Sequence, residues 1–191
     1  ALDDPRYYAF VLLNSIFGGS MSSRLFQNIR EQKGLAYSVC SMNLFSSYWG
    51  FFSIYAGVSP EKAEEALDRV DILVLSPGVA INHPLAVRAK KLDTLRESGV
   101  TEEELAMAKE QMKSSYIFGL ESVNSRMFSI GKNKLLLDRV YAEEEVLSSF
   151  DRVTREDIRE VAEMIGDYSS YCGAAVTGRD FDLERIVKHG N

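Results

Sequence analysis

From Tyr7 to Phe17 the chain carries apolar side chains on nearly every helical face, with no charged residue in the run. A helix of this kind has no side to offer water and must be wrapped by the rest of the fold. Asp3-Asp4-Pro5 ahead of it reads as the helix start, an acidic cap with proline at the first helical position, and Gly18-Gly19 reads as the stop. Ser20 to Ser23 offers a fresh cap for a second helix over about Arg24 to Lys33, with Leu25, Phe26 and Ile29 on its apolar side and Gly34 at its end.

From Leu35 the period changes to two. Leu35, Tyr37 and Val39 alternate with Ala36, Ser38 and Cys40, and after a turn near Ser46-Ser47 a second strand carries Phe52, Ile54, Ala56 and Val58. This pattern predicts a β-hairpin. Ser59-Pro60-Glu61 then caps a helix whose Ala63, Ala66, Leu67, Val70 and Val74 share one surface. Ser76 to Pro84 reads as a loop, followed by a short helix to about Glu97 that Ser98-Gly99 closes.

Thr101-Glu102-Glu103-Glu104 is a capping box opening a long helix to about Leu120, with Leu105, Ala108, Met112 and Tyr116 on its inner face. Further helices are expected over Ser122 to Leu137 and Glu143 to Phe150, and a third, capped by Thr154 with Asp157, carries Ile158, Val161, Ala162 and Ile165. Gly166 ends that helix, and Tyr168 to Val176 reads as a last strand. The inventory is helix-rich α+β, a single domain over residues 1–191, with an antiparallel sheet covered on one face by helices. Three strands are few for so many helices, and the opening helix shows no polar outer face, so we expect a fragment whose opening strand lies upstream.

Composition narrows the function classes. An apolar share of 46% with 26% charged residues is that of an ordinary globular domain, and no run reaches the ~18 apolar residues of a membrane span. A net charge of -6 repels a phosphate backbone, which argues against nucleic acid as a partner. Cys40 and Cys172 have no Cys or His at ligand spacing, so a reduced, cytoplasmic protein is the simplest reading. The two histidines, His83 and His189, stand in a loop and near the chain end, and cannot form a helical H-x-x-E-H zinc face. No G-x-S-x-G elbow is present, and Gly18-Gly19-Ser20 lacks the lysine of a phosphate loop, so it reads as a tight corner that needs glycine for backbone room. The acidic runs Glu102 to Glu104 and Glu143 to Glu145 read as solvated helix caps.

The string from Gly18 to Val39, Gly-Gly-Ser-Met-Ser-Ser-Arg-Leu-Phe-Gln-Asn-Ile-Arg-Glu-Gln-Lys-Gly-Leu-Ala-Tyr-Ser-Val, closely resembles the signature of the second half of the pitrilysin family of zinc peptidases. That family includes insulin-degrading enzymes and mitochondrial processing peptidases. The resemblance continues through Gly50, Ala56-Gly57, the segment from Ser98 to Leu105, and the segment from Val153 to Ile158, and so covers nearly the whole chain. It implies one half of a clamshell metalloendopeptidase that hydrolyses peptide bonds, with zinc and the general base in the N-terminal half. The metal would lie outside this chain, which alone would be inactive. It also implies a peptide substrate, an N-terminal half in the same chain or a homologous subunit as partner, and a homodimer of the full-length protein. The alternative is a non-catalytic peptide-binding or scaffold subunit of the same fold.

The residues that the family uses to reach its substrate fall at Arg30 and Tyr37. A guanidinium and a phenol are both donors, able to hold a peptide carbonyl and the oxyanion formed from it. Two plainer readings stand beside this. Arg30 near a helix C-terminus could serve the helix dipole, and Tyr37, in phase with Leu35 and Val39, could be core with its hydroxyl satisfied. Arg24 reads as a structural ion-pair or solvated residue.

Overall fold

The computed structural model describes residues 2–59 and 99–165. The helix expected after Ser59, the Ser76 to Pro84 loop, the short helix to Glu97 and the Tyr168 to Val176 strand lie outside the described residues, as do His83, His189 and Cys172. The described elements run α1 (Tyr7–Phe17), a π-helical segment (Phe26–Glu31), β1 (Ala36–Phe45), β2 (Gly50–Val58), α2 (Glu102–Glu121), α3 (Val123–Leu137), α4 (Glu143–Arg152) and α5 (Arg155–Ile165). The class is α+β, an antiparallel hairpin with helices on its inner face.

Every residue of α1 is buried or half-buried, as an all-round apolar helix requires. Its start differs from expectation. Pro5 is not the first helical residue, because the Asp4 carboxylate accepts from both the N–H and the Nε of Arg6 at 2.9 Å, and its carbonyl accepts from the Tyr7 N–H at 2.9 Å. The acidic residue closes a turn ahead of the helix instead of capping it, and the Arg6 fork pulls its carboxyl down to about 2.

The hairpin pairs Val39 with Ala56, Ser41 with Ile54 and Asn43 with Phe52, and this face looks at α1. Ser41 Oγ donates to Asn14 Oδ1 at 2.7 Å, Asn43 Nδ2 donates to the Phe10 carbonyl at 3.1 Å, and the Phe17 and Phe52 rings meet at 5.9 Å. On the other sides of α1 lie the apolar stripes of α2, through Leu105 and Ala108, and of α5, through Ile158, Val161, Ala162 and Ile165. The latter two stripes are those expected from the helical spacing. No helix among the described residues is long and apolar enough to cross a membrane.

Gly18 sets the distance between α1 and β1. Its carbonyl accepts from the Ser41 N–H at 3.1 Å, and a Cβ built on it would stand 2.6 Å from the Ser41 nitrogen and 2.8 Å from Leu25 Cδ1. The glycine pair is therefore a corner that brings helix and strand into backbone contact. Gly18→Ala is expected to destabilise the protein by about 2 kcal/mol, since a buried methyl here must move a strand backbone. Urea unfolding measures it, and an unchanged midpoint would show that β1 yields at Ser41.

Candidate functional site

The helix after Gly19 begins as expected, with Ser23 Oγ accepting from the Phe26 N–H at 3.4 Å, but it does not stay an α-helix. From Phe26 to Glu31 it is wound to the wider π pitch: Gln32 N–H donates five residues back to Gln27 at 2.9 Å. Leu35 N–H donates six back to Ile29, also at 2.9 Å. This winding buries Leu25 and Ile29 and leaves Gln27, Arg30 and Glu31 in solvent, while Phe26, expected on the apolar side, is only half-buried. Gly34, at φ +57°, ends the segment, and a Cβ there would meet nothing within 4 Å, so the requirement is for the left-handed backbone alone.

Immediately beyond, Ala36 pairs with Val58 and Ser38 with Gly57, so Tyr37 is the extra residue of a β-bulge. The bulge resets the phase of the strand. Leu35, Ala36 and Val39 are all buried while Tyr37 is 88% exposed, which corrects the alternation that placed Tyr37 in step with Leu35 and Val39. The core reading of this tyrosine is overturned: its ring is in water, and its hydroxyl has no hydrogen-bond partner among the described residues.

Arg30 is likewise exposed. Its guanidinium lies 4.7 Å from the Phe26 ring centroid, a charge-to-face contact that uses no N–H donor, and its nearest carboxylate among the described residues is Glu31 at 4.0 Å. The structure thus places Arg30 and Tyr37 on either side of the Gly34 turn, each on a local departure from regular winding, each in solvent. Irregularities of both kinds re-aim side chains at functional sites.

Arg24, six positions before Arg30, is the opposite case. Its Nε and Nη2 donate to the two carboxylate oxygens of Glu104 at 2.7 Å each, and Nη2 also donates to the Gly99 carbonyl at 2.9 Å. Glu104 is more than the solvated cap expected of it. Its Oε2 also accepts from the Thr101 N–H at 2.8 Å while Thr101 Oγ1 accepts from the Glu104 N–H, completing the capping box at the start of α2. The Arg24 fork holds the Glu104 carboxyl below its ordinary range of 4.5. Sequence reading could not pair two residues 80 positions apart, and its only signal was an acid at the third position of a capped helix.

Among the described residues no three His, Cys, Asp or Glu side chains converge to hold a metal, so this part of the chain does not fit a zinc site. A groove of about 1180 Å³ lies elsewhere, between the start of α1, α3 and α4, walled by Tyr8, Tyr116, Phe128, Leu137 and Tyr141. It includes neither Arg30 nor Tyr37.

Comparison with known proteins bears on this geometry. Residues 1–72 match the family model described as the peptidase M16 inactive domain. An uncharacterised zinc protease of Bacillus subtilis is 36% identical over 84% of this chain and 35% of its own length. A crystal structure of a conserved protein from Enterococcus faecalis is 26% identical, with a TM-score of 0.66 over 84% of this chain and 33% of that one. The crystal structure of a peptidase M16 inactive domain from Pseudomonas fluorescens superposes with a TM-score of 0.67 at 21% identity, over 93% of this chain and 39% of that one. The chain spans about a third of the length of the curated relatives it matches.

The Arg24–Glu104 pair has a definite pH signature. A carboxyl whose folded pKa lies below its unfolded value contributes stability that is fully present above about 4.5 and lost as pH falls through the lower folded value. Glu104→Gln is expected to cost about 1 kcal/mol at neutral pH, for a bidentate pair of this partial exposure, and progressively less in acid. Urea unfolding of both proteins at stepwise lower pH measures the gap, and a gap independent of pH would show that the carboxylate charge is not its source.

Proposed function

We propose that this chain, whose residues 1–72 match the peptidase M16 inactive domain and which is similar to bacterial zinc proteases, is the substrate-gripping half of a metalloendopeptidase. Zinc, when bound, would supply the Lewis acid for peptide-bond hydrolysis. Its ligands and the general base would come from a part of the protein outside this chain, in the same polypeptide or in a homologous subunit. The chain by itself would cleave nothing. We place the full protein in the cytoplasm as a homodimer acting on peptide substrates.

The observation that carries this reading is the pair of exposed donors flanking Gly34. Arg30 keeps a permanent positive charge, and its contact with Phe26 leaves the N–H groups open. The Tyr37 hydroxyl is unengaged among the described residues. Held against one peptide carbonyl, the two would donate to its oxygen and hold the bond still for attack. As the carbon becomes tetrahedral its oxygen gains negative charge, and both donations strengthen, which is the differential binding that lowers a barrier. The bulge at Tyr37 supports the same reading, because a regular strand would turn this phenol to the buried face.

Arg30→Ala in the full-length protein is expected to lower kcat on an internally quenched peptide by about a hundredfold, and Tyr37→Phe by about tenfold, in the range of lost oxyanion donors. Zinc content, measured by atomic absorption, should stay that of the unaltered protein. Undiminished turnover by Arg30→Ala would reject the role.

A further inference from the structure

We infer that Arg24 is a positioning residue, which through its clamp on Glu104 fixes the direction in which the π-helical segment delivers Arg30. The inference rests on the reading of Arg30 as a substrate-gripping group.

The segment bearing Arg30 cannot hold its own orientation. It spans Phe26–Glu31, and π winding is rarely stable beyond a single turn unless its surroundings hold it. Leu25 and Ile29 sink into the core and set its depth, but apolar contact is non-directional and leaves rotation about the helix axis weakly determined. Arg24 supplies the missing direction. A bidentate guanidinium–carboxylate pair fixes both distance and plane, and the third bond, to the Gly99 carbonyl, removes the remaining freedom of the fork. The backbone carbonyl of Arg24 in turn accepts from Asn28 Nδ2 at 2.8 Å, tying the clamped residue to the middle of the π segment.

The far side of the clamp is rigid. Glu104 is held at its backbone and its carboxylate by Thr101, in the first turn of α2. That helix carries Leu105 and Ala108 in the core against α1, and Gly99, at φ +67°, turns the chain just ahead of it. Arg30 is therefore referred, through Arg24, to the capped first turn of a helix packed against α1 and not merely to its own loop.

The test uses the full-length protein and an internally quenched peptide. Arg24→Gln is expected to lower kcat by about tenfold with KM changed less than about threefold, and Arg24→Lys, which keeps charge but not the fork, to recover only part of the loss. The decisive measurement combines variants. If Arg24 acts through Arg30, adding Arg24→Gln to Arg30→Ala should lower kcat by less than about twofold more, whereas independent contributions would multiply. Glu104→Gln should reproduce the Arg24→Gln behaviour, including its non-additivity with Arg30→Ala, and serves in its place if Arg24→Gln does not fold. Full turnover by Arg24→Gln, or multiplying losses, overturns the positioning role alone. Collapse of both Arg24→Gln and Glu104→Gln into insoluble protein also overturns it, since the pair would then be a determinant of folding. An Arg30→Ala protein with undiminished turnover overturns the reading of the site itself and takes the clamp with it.

Discussion

An amphipathic helix needs one partner, but α1 needs partners on every side, and the described structure is arranged to supply them. The hairpin covers one flank through Ser41, Asn43 and Phe52, while α2 and α5 bring apolar stripes to the others and Phe150 of α4 meets Tyr8 with ring centroids 5.0 Å apart. The polar groups that α1 must bury are satisfied from two sides: Asn14 and the Phe10 carbonyl receive donors from β1, and the buried Ser15 hydroxyl donates to Gln111 Oε1 of α2 at 3.3 Å. The Gly18 corner follows from the same demand: only a residue without a Cβ lets the chain leave a fully wrapped helix and pass within hydrogen-bonding reach of β1.

From that corner the chain runs through a short segment where regular winding fails twice. Ahead of Gly34 the helix takes on an extra residue per turn, and behind it the strand takes on an extra residue in its ladder. Each departure leaves some backbone bonding in a less favourable form, and the bulge turns Tyr37 out of the core. A regular strand would turn Tyr37 to the buried face shared by Val39. The insertions present both outward while Ile29, Leu35, Ala36 and Val39 stay packed beneath.

What was legible in the sequence is what local physics controls. Helical stripes such as Ile158, Val161, Ala162 and Ile165, the Thr101–Glu104 box and the glycine stops were readable because each rests on contacts within a few residues. The period-two run from Leu35 was readable as strand but not in its phase, since a bulge costs one residue of register and leaves no mark in composition. The π winding was hidden for a related reason: Leu25 and Ile29 fit the α spacing equally well, and only the tertiary demands at Gly34 decide between the two pitches. Arg30 and Tyr37 came from the resemblance of the whole string to a peptidase signature, and nothing local distinguished them from a dipole partner and a core tyrosine. The salt bridge from Arg24 to Glu104 lay beyond any reading of neighbours.

The two arginines at either end of this short segment make the division of roles physical. Arg24 has given up three of its donors to fixed protein acceptors, and the cost of desolvating its partly buried charge is offset by a carboxylate in matched bidentate geometry. Arg30 has given up almost nothing among the described residues: a ring face and a carboxylate at 4.0 Å leave its fork exposed and available. A donor intended for a transient negative charge must remain uncommitted in the resting protein, since any strong internal acceptor would have to be displaced first. An uncommitted side chain, however, has little to hold it in place. Placing a clamped arginine just ahead of the segment, anchored to the capped end of a helix packed on α1, reconciles these demands, because the backbone is held firmly while the side chain that works stays free.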